Sequence, residues 1–482
     1  MSCVDPSRAL GAFVALALAL YLTPLEARAA LINDVPASAA TYLGGAGEDE
    51  AGGVAFALDG SLLVAATLPG HDPAGAPVTE LLGGGDGALL RLASDGRQVL
   101  EIVRVGDGIL DLEVTSGGRV ALAAAGVGVV LLEPDLSLAW FESLPSVVRV
   151  AVGGEGSGLR VAGLDSAGQA RVLGAAGNLV GQRAFGDSEV ADIAVAPDGQ
   201  RVVVTGFNQR SPTLQVPFLR AFDPTLAVQA WRAYDWTADQ VLDEQQSSSS
   251  DSRGVRVAFG QDGLLYFAGQ SSGALSTFRF DPLIVDRRLP DDELISFDEY
   301  NTPFQTGGVL ITVMGRFDPA TGDVLKIQRL LARLSSNSGN SVRPASIAAD
   351  AEGRIFQGGA SAASLEDRTV QRLEGQLAGP YQGFEAFVLV LDPDFSARRV
   401  WTVFTAPGGS QNSVARGVAV RDQRFAWAVS VDNGTAQMLT TNAVQPARDA
   451  GLSAYFGVSP GLPLFADDFE SGGTAGWSSA TP

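Results

Sequence analysis

The chain contains one imidazole, His71, in a Pro-Gly-His-Asp-Pro loop beside Asp72. A neighbouring His and Asp can form part of a catalytic pair, but that chemistry also needs a nucleophile or a second ligand, and none is indicated nearby. His71 is therefore expected to be an ordinary loop residue. Glu48, Asp49 and Glu50 form an acidic run that could hold calcium. A hard cation wants oxygens from several alternating positions, and the D-x-D-x-D-G spacing is missing, so a solvated acidic loop is expected. With one His and one Cys in the whole chain, a His-rich metal site, a Cys-based zinc site and a Cys–His dyad are excluded. What remains is carboxylate chemistry. Two converging Asp or Glu would suffice for a lyase or hydrolase, but a linear sequence does not show which of its carboxylates converge. The sequence assigns no catalytic, cofactor-binding or metal-ligating residue, and no cofactor.

Two insertions could carry recognition. Residues 237–253 include Ser247-Ser248-Ser249-Ser250 and read as a flexible polar loop. Residues 281–307 combine Asp286-Arg287-Arg288, Asp291-Asp292-Glu293, Phe297, Tyr300 and Phe304. Charges interleaved with aromatics suit a recognition surface, because rigid scaffolds place function on loops; a disordered surface excursion has the same composition. Asn433-Gly434-Thr435 is a formal glycosylation sequon.

The net charge is -21, from 54 acidic against 33 basic residues. Such a field repels phosphate, so nucleic acid is excluded as a partner and anionic lipid is disfavoured. Residues 1–29 read as a secretory signal peptide. Arg8 lies ahead of the apolar run 9–22, Pro24 breaks the helix, and Ala27-Arg28-Ala29 supplies small residues around a cleavage point. Cys3 lies in the removed segment, so the mature chain would have no cysteine and no disulfide. No other apolar run is long enough to span a membrane, so none is expected in the mature chain. The expected address is secreted or periplasmic, with cell-surface association as a variant.

The elements that would position any site come from a recurring pattern: an apolar strand, a tight turn and a second apolar strand. Its first occurrence is Gly53-Val54-Ala55-Phe56-Ala57, then Leu58-Asp59-Gly60, then Leu62-Leu63-Val64-Ala65. It recurs around Ser116-Gly117-Gly118, Gly156-Ser157-Gly158, Pro197-Asp198-Gly199, Gln261-Asp262-Gly263, Ala351-Glu352-Gly353 and Arg421-Asp422-Gln423. Asp-Gly between apolar runs signals a hairpin, because Gly accepts the positive φ of the turn. A third strand follows each of the seven hairpins, for example Phe218-Leu219-Arg220-Ala221-Phe222, and ends in a turn such as Asp223-Pro224-Thr225. A fourth strand follows six of those turns, as in Val400-Trp401-Thr402-Val403-Phe404. The seventh turn runs into Gly461-Leu462-Pro463, and Pro cannot donate to a sheet ladder. The chain also opens with a spare strand, Ala40-Thr41-Tyr42-Leu43.

One strand surplus at the start and one missing at the end predict an all-β seven-bladed β-propeller of four-stranded antiparallel blades, closed by the N-terminal strand. It would occupy residues 30–461, with 462–482 as a C-terminal tail. Two stacked all-β domains would leave no such complementary ends.

Thr41-Tyr42-Leu43-Gly44-Gly45, with Gly47-Glu48-Asp49 and Gly53-Val54-Ala55 behind it, resembles the opening of the bacterial SBBP (beta-propeller) repeat. Thr440-Thr441-Asn442-Ala443-Val444-Gln445-Pro446, then Ala454-Tyr455-Phe456, resembles its end. The resemblance covers the first and last units; the middle units keep the strand and turn plan and lose the wording. It implies a seven-bladed propeller of exported bacterial proteins and supplies no catalytic residues. Phe465-Ala466-Asp467-Asp468-Phe469-Glu470-Ser471-Gly472, with Trp477 beyond, resembles a short C-terminal motif on exported proteins of Gram-negative bacteria. The expected function is a secreted, monomeric, non-catalytic binding or scaffold propeller for an unknown protein or carbohydrate. The alternative is a carboxylate-based propeller lyase or hydrolase acting on polysaccharide or peptide. An enzyme should bury carboxylates, or an Arg–carboxylate set, together at the axial mouth. A scaffold should line its channel with small residues.

Overall fold

In the computed structural model the described residues are 31–462, apart from 74, 187, 246–247, 291–297, 302–307, 382, 409–411, 433–436 and 449–450. The signal-like segment, the sequon, the tail beyond 462, and Asp291-Asp292-Glu293, Phe297 and Phe304 lie outside the described residues. Apolar runs broken by Gly-bearing turns give an all-β chain. Gly60, Gly118, Gly199, Gly263 and Gly353 have φ of 82°, 87°, 70°, 79° and 81°, the left-handed region their hairpins require.

Among the described residues, seven sheets each contain four strands paired antiparallel to their neighbours. Unit one is Glu50–Phe56, Leu62–Thr67, Gly87–Leu92 and Val99–Arg104, edged by the short parallel strand Val78–Glu80. Unit two is Gly108–Val114, Val120–Ala125, Gly128–Leu132 and Leu138–Ser143; unit three is Val147–Gly153, Arg160–Asp165, Gln169–Gly174 and Leu179–Ala184. Unit four is Ser188–Val195, Val202–Ser211, Leu214–Phe222 and Gln229–Tyr234; unit five is Ser252–Phe259, Leu265–Ser272, Leu310–Phe317 and Val324–Leu330. Unit six is Val342–Ala349, Ile355–Ser361, Glu385–Leu391 and Arg398–Val403. Unit seven is Ser413–Arg421, Arg424–Val431 and Ser453–Ser459, and its fourth strand is Ala39–Leu43. That last pairing is antiparallel, with Thr41 opposite Phe456 and Leu43 opposite Ala454.

The first strand of each unit packs against the first strand of the next, and that of unit seven packs against that of unit one. The core lies between the sheets. Leu62, Val64, Leu90 and Ile102 of unit one form one apolar cluster with Ala426, Phe456 and Val458 of unit seven and with Ala39 and Leu43. Fourth-strand tryptophans tie neighbours together: Trp140 donates to Ala175 O at 3.1 Å and Trp231 to Pro319 O at 2.9 Å. Leu136, Leu226 and Phe395 adopt φ of 63°, 60° and 61° in the turns after their third strands. Their buried side chains offset the strain of that backbone.

The two insertions depart from expectation. In 237–253 the described residues are folded against unit four. Val241, in a single helical turn, packs with Leu214, Val216 and Trp236. Asp251 accepts the Gln215 amide at 2.7 Å, and Ser248 is buried. This loop is tethered because it covers the apolar overhang of a long hairpin. In 281–307, Leu289 and Tyr300 are buried and Asp281 pairs with Arg287. Tyr300 meets Trp401 edge-on at 5.2 Å, and Asp298 binds Arg398 at 2.6 Å. Tyr300 and Asp298 are thus spent inward, on unit six, whereas Asp286, Arg287 and Arg288 are exposed.

Candidate functional site

The first strands position the site. Each contains one extra residue relative to its partner, with the register shift at the same place in all seven units. A bulge of this kind re-aims the side chain beside it. The residue after the bulge is Gly53, Asp111, Arg149, Asp192, Arg256, Ser346 and Gly417 in units one to seven. All seven line one cavity of about 590 Å³, to which the first strand of every unit contributes. Four consecutive units therefore alternate acid and base, and the other three present small residues.

The charged residues reach across to the next unit. Asp111 accepts the Val150 amide at 3.1 Å, and Glu113, two residues on, accepts the Val152 amide at 2.8 Å. Asp192 accepts the Val257 amide at 2.9 Å, and Arg256 Nε donates to Ala345 O at 2.5 Å. Ser346 donates to Ala415 O at 3.2 Å. Arg149 Nε lies 3.7 Å from Asp192 Oδ1, too far for a hydrogen bond. Arg149, Arg256 and Arg416 also line a smaller, adjoining cavity of about 230 Å³ beside Glu50, Gly52 and Leu110. They therefore stand at the neck between the two spaces. On the other side of the neck the wall includes Ala55, Ala194, Ala258, Ala348 and Ala419.

Burial governs the protonation of this set. It pushes the Asp111 carboxyl up to about 6, against the pull of Arg149 and with help from Asp192. It holds Glu113 well above the usual carboxylate range, and the Asp111 charge adds to the effect. Asp192 is raised by burial too, opposed by Arg256 and Arg149. Burial lowers the Arg256 guanidinium to about 10, with Arg149 and Arg416 as like-charged neighbours. Two carboxyls raised by burial, Glu113 and Asp111, thus stand two residues apart at a cavity that three guanidiniums also line.

The residues singled out from the sequence lie elsewhere. Asp72 binds Arg104, at 2.6 Å from Nη2, so the acid beside His71 serves an arginine. Arg104 also donates to Leu68 O and Asp86 O, which pins the loop. In the acidic run Glu48 and Glu50 are exposed, but Asp49 is buried at 1% exposure, against the expectation of a wholly solvated loop. It sits beneath Gly44, where an added Cβ would come 2.2 Å from its carboxylate. Among the described residues no group of three or more His, Cys, Asp or Glu could hold a metal ion. No helix among them is long and apolar enough to cross a membrane. The axial set was missed because each strand contributes one residue. Aligning the first strands on their apolar-Ala-apolar core, as in Arg149-Val150-Ala151-Val152 and Asp192-Ile193-Ala194-Val195, would have placed Arg149, Asp192 and Arg256 in one column, while Asp111-Leu112-Glu113-Val114 lacks that alanine.

No family model matches this chain, and no curated protein does. Solved structures of similar shape include Kuenenia stuttgartiensis hydrazine synthase, at 12% identity and a TM-score of 0.46, covering 87% of this chain and 99% of that one. The β-propeller domain of Myceliophteria thermophila Cps50 (Swd1) is similar at 9% identity and a TM-score of 0.44, over 81% of this chain and 98% of that one. A chain of a mitotic checkpoint complex is similar at 10% identity and a TM-score of 0.44, over 84% and 93%.

Proposed function

We propose that the chain is an exported, seven-bladed β-propeller, closed by its N-terminal strand, that binds a small ligand in its axial cavity. Three features support the closed ring: the pairing of Ala39–Leu43 with Ser453–Ser459, the shared core of units one and seven, and the unbroken run of first-strand contacts. The stretches that resemble the SBBP repeat also bond to each other. Ala40 and Thr441 exchange two backbone hydrogen bonds, at 2.9 and 3.0 Å, and Gln445 N donates to Thr41 Oγ1 at 2.8 Å.

The observation that carries the ligand reading is the charged set at the neck. A passive scaffold has no use for three carboxyls and three guanidiniums gathered at one cavity, where the buried members cost desolvation. The test is a screen of sugars, peptides and organic acids by thermal shift, run on the native sequence and on Ala258→Phe, which narrows the cavity. Ligands of the cavity stabilise the first and lose their effect on the second; hits that survive the substitution place the binding surface elsewhere.

A second reading is favoured by Glu113. Glu113, raised well above the usual carboxylate range by burial, stands two residues from Asp111, raised to about 6, and such a pair suits an acid–base lyase or hydrolase. Release of product from an acidic polysaccharide, falling about a hundredfold or more in Glu113→Gln, would establish it; equal release by both would remove it.

A further inference from the structure

We propose that Arg149, Arg256 and Arg416 form the recognition point for the carboxylate of a monoanionic ligand whose apolar body lies along the alanine-lined part of the cavity. The inference rests on the reading of the axial cavity as a binding site and specifies what it binds.

The argument is an account of donors and acceptors. Asp111, Glu113 and Asp192 each accept a backbone amide from the next unit, so each already has a partner. The guanidiniums are less committed. Arg149 Nη1 donates to Val148 O at 2.9 Å, and Arg256 donates from Nε to Ala345 O and from Nη1 to Val255 O. Those three bonds use a small part of the about fifteen N–H donors that three guanidiniums carry. The closest ion pair is the 3.7 Å approach of Arg149 to Asp192, and Arg256 and Arg416 make none among the described residues. Arg149 Nε is buried without a hydrogen-bond partner. Free donors converging from units three, five and seven on the neck of a cavity call for an acceptor from outside, and a carboxylate takes two parallel N–H bonds from a guanidinium.

Charge limits what can bind. Asp111 and Asp192 in the larger cavity and Glu50 in the smaller one already face the three guanidiniums. Each further negative charge adds repulsion in a poorly solvated space within a molecule of net charge -21, so a monoanion is favoured over a dianion such as phosphate. Beyond the neck, Ala55, Ala194, Ala258, Ala348 and Ala419 offer methyl groups, with Glu113 as the polar side chain at the corresponding position of unit two, so the rest of the ligand should be slim and mainly apolar.

Hexanoate is the probe, with hexanol, hexylamine and inorganic phosphate as controls, titrated calorimetrically into the native sequence, Arg416→Gln, Arg149→Gln and Ala258→Phe. Arg416 is exposed and free of ion pairs, so its replacement leaves the fold intact. Hexanoate should bind while hexanol, hexylamine and phosphate bind at least tenfold more weakly. Each Arg→Gln variant should weaken hexanoate about tenfold or more, and Ala258→Phe should abolish binding. Hexanoate no tighter than hexanol, with both lost in Ala258→Phe, overturns the carboxylate proposal and leaves the cavity reading standing. Hexanoate bound equally by all four proteins overturns the cavity reading itself. No hexanoate binding at millimolar concentration, or a preference for phosphate, also overturns the proposal.

Discussion

Units two to five and units six, seven and one use the same bulged position in opposite ways. In the first group it holds Asp111, Arg149, Asp192 and Arg256; in the second, Ser346, Gly417 and Gly53. On the small-residue side the reason is steric. A Cβ on Gly417 would meet Gly53 Cα at 2.9 Å, one on Gly53 would meet Leu112 Cδ2 at 2.9 Å, and one on neighbouring Gly52 would meet Ile109 O at 1.9 Å. There the first strands are pressed together from unit seven through unit one to unit two. Arg421 and Arg424 reinforce that junction by donating to the carbonyls of Leu58 and Gly60 in unit one. One backbone device thus presents small residues in one group of units and lines the cavity with charge in the other.

The largest test removes the junction. Deleting residues 30–45 takes away the strand paired with Ser453–Ser459 and opens an edge of unpaired backbone groups. The loss should far exceed the about 1 kcal/mol of a typical point change. An unmoved melting temperature would show that the junction does not hold the molecule together. Next comes Gly52→Ala, which drives a methyl group into the Ile109 carbonyl and should cost roughly 2–3 kcal/mol in denaturant unfolding, the scale of an overpacked core. The same change at Gly156, with nothing within 4 Å, isolates the cost of its φ of 55° alone.

The charged half has a pH signature. The Asp111 carboxyl is raised from 3.8 to about 6 in the folded chain, so the folded state holds that proton more tightly. Its contribution is fully present below pH 3.8 and is lost as pH rises through 6. Relative to Asp111→Asn, the native sequence should lose on the order of 2 kcal/mol over that window, allowing for water in the cavity. Paired melting curves against pH measure it; a native sequence that gains on the variant as pH rises would mean the carboxylate is held charged. The smallest effect is expected from Ser346→Ala, which removes one hydrogen bond to Ala415 O and should cost about 1 kcal/mol or less.

The strand and turn plan was legible because its signals are local. Gly60, Gly199 and Gly263 sit where positive φ is needed, and Leu462-Pro463 marks the missing fourth strand. The spare strand at Ala40-Thr41-Tyr42-Leu43 was legible for the same reason, and it pairs with Ser453–Ser459. The inward contacts of the insertions were not legible because composition does not reveal a partner. Tyr300 and Val241 look like loop residues until Trp401 and Leu214 are placed against them. The axial set was invisible for a different reason: Asp111, Arg149, Asp192 and Arg256 are far apart in sequence, and each is unremarkable in its own strand.

The pairing of the two ends also sets an order of events in time. Ser38 and Val458, joined by a backbone hydrogen bond of 2.9 Å, are 420 residues apart. A chain delivered from its N-terminus presents the apolar segment Ala-Ala-Thr-Tyr-Leu long before its partner strand exists. Contacts of such long separation form late and slowly, since the entropy of closing the loop must be met first. Until then the nascent molecule carries two sticky edges, one at each end of an unfinished arc. Aggregation during production should therefore concentrate in chains truncated before residue 453, in which units one to six are complete and the clasp is not.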